Sequence, residues 1–319
     1  MNIKEINLIW LQGQGCTGCT VSLTGATHPS LIDVLSGFLP PVTGIILKYH
    51  PTIMLPHGEK ALENLKAAVK GELDPFILIL EGAIPDEGKA AKSNGFWCMI
   101  GEEEGKLMTF NDWVSRLSEK AVAVVAVGTC ASYGGIPHGE PNPTGAKGAF
   151  QFFGKSWKSR AGLPVICVPG CPAQGDHIIE SLAYLILSIR GFLPPPALDE
   201  YNRPLFLFEK KAHENCPRAG LFAEGKFSKN FGEPYCMGLL GCKGLIAHCN
   251  IPRKGFVEGV GGCPTIGSIC IGCTEPEFPD GPFSPFFKKA PASVYTIEAF
   301  HDIKGKFYAL LHRLKKREI

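Results

Sequence analysis

Thirteen cysteines stand out in this chain, and most of them sit at spacings that suit metal binding. Two short segments carry nearly the same thiol pair. "QGCTGCTVS" holds Cys16 and Cys19, and "SICIGCTEP" holds Cys270 and Cys273. A Cys-x-x-Cys turn points two thiolates at one centre, and thiolates are ligands for zinc and for iron–sulfur clusters. Cys130 in "VGTCASYGG" and Cys171 in "VPGCPAQG" each follow an apolar run, as Cys16 does. In an open parallel sheet the loops at the carboxyl ends of the strands meet on one edge. Cys16, Cys19, Cys130 and Cys171 therefore form a first set of four thiolates, the ligand count of a cubane iron–sulfur cluster. Four-thiolate zinc, usually built from two close pairs, and unrelated buried cysteines are the alternatives. Gly15, Gly18, Gly128, Gly134, Gly135 and Gly170 lie beside these thiols. They let the backbone approach a bulky inorganic core and turn N–H groups toward its sulfurs.

A second set is His213, Cys216, Cys236 and Cys242, in "HENC" and "YCMGLLGC". Three sulfurs and one imidazole suit structural zinc as well as an iron–sulfur cluster. The third set is Cys249, Cys263, Cys270 and Cys273. Four thiolates suit another cubane, and without Cys263 the remaining three would suit a 3Fe–4S cluster. Cys98 and Cys167 are left over and read as small buried side chains. Glu81, in "LEGAI", ends an apolar run on the same edge as the first set, either hydrogen-bonded into that edge or as a helix cap or surface carboxylate. Lys243, Arg253 and Lys254 lie among the later ligands, where they either offset cluster charge or are simply solvated.

The elements that must position these groups are legible as patterns. Apolar runs at Ile6–Leu11, Gly44–Tyr49, Phe76–Leu80, Ala121–Val127 and Leu163–Val168 predict parallel strands covered on both faces. Helical spacing between them, at Glu59–Val69, after Trp113 and over Asp176–Arg190, predicts an α/β, flavodoxin-like doubly wound parallel sheet over residues 1–192. "GFLPPPALDEYNRP" reads as a linker. Residues 193–285 show almost no sustained periodicity but hold Cys216 to Cys273. An irregular domain of that kind needs bonds to metal in place of a core. Residues 286–319 form a tail whose "GKFYALLHRLKKREI" predicts a short amphipathic helix with a basic end, for a membrane surface, a partner or plain solvent.

Composition narrows the function. The chain has 319 residues, 45% hydrophobic, with a formal net charge of +2. That offers no electrostatic basis for binding nucleic acid. There is no basic n-region, twin-arginine pair or membrane-spanning apolar run. The expectation is a cytoplasmic protein with reduced thiols, at most associated with a membrane through a partner.

Seven motifs, "WLQGQGCTGCT", "LEGAI", "VGTCASYGGI", "VPGCPAQ", "HENC", "GCKG" and "CIGCTEPEF", occur in this order. In this the chain resembles the small subunits of nickel–iron hydrogenases over about residues 5–285. The resemblance implies an electron-transfer subunit with no catalytic residues of its own. It carries electrons from H2 oxidation at a nickel–iron centre in a separate large subunit to an external acceptor or a signalling partner. It also implies a proximal cluster on Cys16, Cys19, Cys130 and Cys171, a distal one on His213, Cys216, Cys236 and Cys242, and a medial one on Cys249, Cys270 and Cys273. Many periplasmic relatives have proline where this chain has Cys263, so a complete 4Fe–4S medial cluster is expected here, and three 4Fe–4S clusters in all. Thr17 and Gly18 leave out the extra thiol of oxygen-tolerant relatives. The missing export signal and membrane helix resemble the cytoplasmic uptake and hydrogen-sensing branch. A sensor subunit, a structural zinc module and the single-cluster subunit of respiratory complex I are the competing readings. The last has adjacent cysteines at the first site and no second ligand domain.

Overall fold

A computed structural model describes residues 4–37, 41–92, 95–281 and 284–285. The apolar runs become strands: β1 (Ile6–Gln12), β2 (Ile45–Tyr49), β3 (Phe76–Glu81), a side hairpin of β4 (Met99–Glu103) and β5 (Lys106–Thr109), then β6 (Ala123–Val127) and β7 (Ile166–Val168). One five-stranded sheet has the order β2-β1-β3-β6-β7, and every neighbouring pair in it is parallel. Counted among sheet strands alone this is 2-1-3-4-5, the flavodoxin-like winding, whose direction reverses between β1 and β3. β3 and β6 are buried along their whole length, as expected of strands with helices on both faces.

The crossovers carry α1 (Gly18–Thr24), α2 (Leu31–Ser36), α3 (Glu59–Lys70), α4 (Glu87–Ala91), α5 (Phe110–Ser118), α6 (Gly128–Tyr133), α7 (Gly135–His138), α8 (Ala149–Phe153) and α9 (Gly175–Ile189). α3 buries Ala61, Leu62, Leu65 and Ala68. α5 buries Phe110, Trp113, Val114 and Leu117. Both stripes join one apolar cluster with Leu78, Leu80 and Val124 of the sheet. α5 starts at a capping box in which the Thr109 hydroxyl accepts from the Asp112 amide at 3.1 Å and the Asp112 carboxylate accepts from the Thr109 amide at 2.8 Å. That satisfies two otherwise orphaned donors of the first turn.

The chain splits into two compact units between Phe206 and Leu207, not at residue 192 as the Pro-rich stretch suggested. Residues 193–206 are held to the first unit. The Cys167 amide donates to Asn202 O at 2.9 Å, the Tyr133 hydroxyl donates to Tyr201 O at 3.0 Å, and within the stretch Arg203, 2% exposed, pairs with Asp199 at 2.6 Å. A proline-rich segment need not be a linker when its backbone groups find partners in a folded neighbour.

In the second unit, described up to Pro285, the elements are single turns such as Ala219–Ala223 and Ile251–Lys254. Its apolar cluster is small: Ala212, Ala247, Cys249, Ile251 and Cys270, with Cys242 and Phe256 packed against it. Among the described residues no helix is long and apolar enough to cross a membrane. The amphipathic helix expected in the C-terminal tail lies outside the described residues.

Candidate metal centres

The first set sits on the carboxyl edge of the sheet, around the reversal between β1 and β3. Cys16 and Cys19 follow β1, with Cys19 in the first turn of α1. Cys130 lies on α6 directly after β6, and Cys171 follows β7. The loops are stitched together: the Thr129 amide donates to Gly170 O at 3.0 Å, and the Gly170 amide donates to the Thr129 hydroxyl at 2.9 Å. The Ala173 amide points at Cys19 Sγ, 3.5 Å away. Asp176, at the start of α9, accepts from the Thr27 and His28 amides at 2.7 and 3.0 Å, which ties the loop after α1 to the helix that follows Cys171.

The four thiols lie within electrostatic reach of one another. Cys19 feels Cys130 and Cys171, and both Cys130 and Cys171 feel Cys16. Burial is the main cause that raises the affinity of Cys19, Cys130 and Cys171 for protons, pushing Cys130 up to about 11. Metal must therefore displace protons to occupy this set. The backbone is pared back around the sulfurs. A Cβ on Gly128 would collide with Cys19 Sγ, and one on Gly135 would stand 2.9 Å from Cys130 Sγ. The two glycines have φ of 84° and 51°, where side chains are strained.

Beneath the set lies a polar group that its sequence position only hinted at. Glu81 is 3% exposed, so it is not a surface carboxylate. It accepts from Trp10 Nε1 at 2.9 Å, Gln12 Nε2 at 2.9 Å, the Thr20 amide at 3.0 Å and the Thr20 hydroxyl at 2.5 Å. It therefore anchors the residue next to Cys19. His50, fully buried, stands 3.3 Å from the Thr20 hydroxyl and accepts from the Thr52 amide on Nδ1 at 3.2 Å. That bond assigns the ring proton to Nε2. Burial lowers His50 to about 4, against the opposing charge of Glu81. Trp10, Thr20 and His50 are far apart in sequence, and no local pattern marks them as a group.

The second set lines one small pocket. His213, Cys216, Cys236 and Cys242 all face it, with Arg218 and Pro264. The His213 amide donates to Gly244 O at 2.8 Å, which pins the histidine beside the segment of Cys242. Its ring meets Phe222 edge-on, with centroids 5.0 Å apart. Arg218 donates to the carbonyls of Tyr235 and Glu233 at 2.9 and 3.2 Å, while its amide points at Cys216 Sγ at 3.4 Å. One arginine thus links the Cys216 and Cys236 segments. Burial raises both thiols, and each feels Cys242.

In the third set Cys249 and Cys270 are 7% and 8% exposed. Burial pushes Cys249 up to about 12, with Cys263 adding to it. Cys270 is raised by burial and by the nearness of Cys242, Cys249 and Cys263. Cys263 thus lies within electrostatic reach of Cys249 and Cys270. Cys273 is half-buried and follows Gly272, whose φ is 73°. Cys98 and Cys167 pack with the core of the first unit. Arg253 is exposed, whereas the amide of half-buried Lys243 holds Cys270 O at 2.7 Å. Among the described residues, no three His, Cys, Asp or Glu side chains close on a point as a single metal ion requires.

Comparison with known proteins follows this geometry. A family described as the NADH ubiquinone oxidoreductase 20 kDa subunit matches residues 16–185. A second, the C-terminal part of the NiFe/NiFeSe hydrogenase small subunit, matches residues 208–287. The periplasmic [NiFeSe] hydrogenase small subunit of Desulfomicrobium baculatum is 36% identical, over 89% of this chain and 87% of its own. The hydrogenase-2 small chain of Escherichia coli is 33% identical, over 86% of this chain and 68% of its own. Among solved structures, the actinobacterial-type NiFe-hydrogenase of Ralstonia eutropha H16 superposes with a TM-score of 0.88 at 40% identity, covering 99% of this chain and 91% of that one.

Proposed function

Since the chain belongs to the small-subunit family of nickel–iron and nickel–iron–selenium hydrogenases, we propose how its residues divide the labour of such a subunit. It is the electron-transfer subunit of a hydrogenase, and its partner is the large subunit that holds the catalytic centre. Cys16, Cys19, Cys130 and Cys171 hold the proximal group next to that partner. Cys249, Cys263, Cys270 and Cys273 hold the medial group. His213, Cys216, Cys236 and Cys242 hold the distal one, nearest the external acceptor. In all three places the group is a 4Fe–4S cluster, which supplies a one-electron carrier when bound. The chain's own residues deprotonate to bind, exclude water and fix the order of the carriers.

The observation that carries this reading is the first set. Four thiols on three strand-end loops at the carboxyl edge of the sheet lie within electrostatic reach of one another, and Gly18, Gly128 and Gly135 stand where a Cβ would crowd a sulfur. The neutral donor His213 fits the distal place, because replacing one thiolate lowers the negative charge of the group and favours its reduction. Cys263 belongs in the medial set on the strength of its nearness to Cys249 and Cys270. We further propose a reducing, cytoplasmic location, where a chain with thirteen cysteines keeps its thiols available for metal. The relative named as periplasmic stands against that location, so cell fractionation is the measurement that decides.

The test is metal analysis of the complex purified without air. Three cubanes require about twelve iron and about twelve acid-labile sulfide per chain. Zinc without sulfide overturns the reading. A strong 3Fe–4S resonance in the fresh oxidised complex removes Cys263 from the set.

A further inference from the structure

The second and third ligand sets meet at one residue. Cys242 faces the cavity that it shares with His213, Cys216 and Cys236. It also packs against the apolar cluster that contains Cys249 and Cys270. Between the two sets runs a hydrogen bond: the Cys270 amide donates to Cys242 Sγ at 3.3 Å. A second bond runs the other way, from the Lys243 amide to Cys270 O at 2.7 Å. The pair fastens the Cys242–Lys243 segment to Cys270 on both sides of its peptide unit. Cys263 also lies within electrostatic reach of Cys242, so the contact is not confined to one atom pair.

An electron tunnels less readily across a gap than along bonded atoms. From Cys242 Sγ the bonded path to the third set is one hydrogen bond and the short stem from the amide to the sulfur of a single cysteine. We propose that the Cys270 amide–Cys242 sulfur hydrogen bond is the bridge through which electrons pass between the third and second ligand sets, with Lys243 as its positioning residue. The proposal rests on the ligand sets proposed above. In each passage one electron leaves the third set and arrives at the second. No bond forms or breaks, and the amide proton stays on Cys270. The same N–H dipole points its positive end at a second-set sulfur and so favours reduction there. The bond that makes the path thus also makes the second set the better acceptor.

The experiment uses the complex with its large subunit, poised at a series of potentials and observed by electron paramagnetic resonance at two microwave frequencies. With both sets reduced, the bridge predicts a field-independent splitting of the second-set signal whose isotropic part reports exchange through bonds, the orientation-dependent part being dipolar. Lys243→Pro removes the N–H that holds Cys270 O; the isotropic part shrinks, and the midpoint of the second set falls. Lys243→Ala keeps the backbone donor and keeps the splitting, which separates the amide from the lysine charge. A wild-type splitting that is wholly dipolar overturns the bridge, as does a Lys243→Pro complex with unchanged splitting and midpoint. If Lys243→Pro does not assemble, the two-frequency measurement on wild type decides alone. Iron and sulfide counts on the same samples keep the two levels apart. A shortfall of one set's metal refutes the ligand assignment, while full counts without exchange refute only the bridge.

Discussion

Among single residues, Glu81 and His50 have the most direct consequences, because they lie buried under the first ligand set and bind no metal themselves. Every hydrogen-bond donor on Glu81 is neutral: an indole, an amide side chain, a backbone N–H and a hydroxyl. Glu81→Gln keeps the shape but removes the acceptor charge beside Cys19. The first-set cluster is expected to stay in place with a higher midpoint potential in a redox titration. The complex should lose about 1–3 kcal/mol of stability, because one amide donor replaces an acceptor that Thr20 needs. His50 gives a pH signature. Its folded-state value is near 4 against the ordinary 6.5, so between these values the unfolded chain binds a proton that the folded one does not. Stability from this residue is complete above about pH 6.5 and drains away as pH falls toward about 4, by at most about 1.4 kcal/mol per pH unit. His50→Gln should flatten the fall of the unfolding midpoint over that window. An unchanged slope would show that the ring is not held neutral. The sequence marks Glu81 on this edge but not its partners, since Trp10, Thr20, His50 and Glu81 meet only after β1 and β3 pair in register, Gln12 opposite Glu81.

The elements explain why so little sequence pattern is needed to build the first site. Parallel strands end on one edge, and the strand–loop–helix turns after β1, β6 and β7 each present a cysteine there. The apolar runs made those strands legible, because strands buried on both faces must be apolar along their whole length. The tight glycines were legible as residues but not as a steric requirement. Gly128→Ala drives a methyl group into Cys19 Sγ at a backbone conformation that alanine resists. The expected result is loss of the first cluster, about four iron per chain, while the sets in the second unit keep theirs. Retention of all the iron would mean that the loop yields without disturbing the thiol. The stretch 193–206 went the other way. Its prolines suggested a linker, yet Tyr201 and Asn202 find partners at Tyr133 and Cys167 of the first unit, and proline content carries no information about such distant partners.

For the whole molecule the two units differ in what holds them. The first has a continuous apolar core spanning sheet and helices. The second has a handful of small buried side chains, two of them cysteines assigned as ligands. Metal bonds then supply much of the second unit's folding free energy. Stripping iron with a chelator under mild reduction should expose residues 207–281 to protease first, while the sheet of the first unit resists. Equal resistance in both units would refute that division. The sequence by itself determined the spacing and chain order of the proposed ligands, the winding of the sheet and the family, because thiol spacing and apolar runs are local and survive without coordinates. Only the tertiary structure decided that Glu81 braces Thr20, that residues 193–206 stay with the first unit, and that Cys242 touches Cys270. Those are hydrogen bonds between residues that lie far apart along the chain, and nothing in a linear string marks two such residues as neighbours.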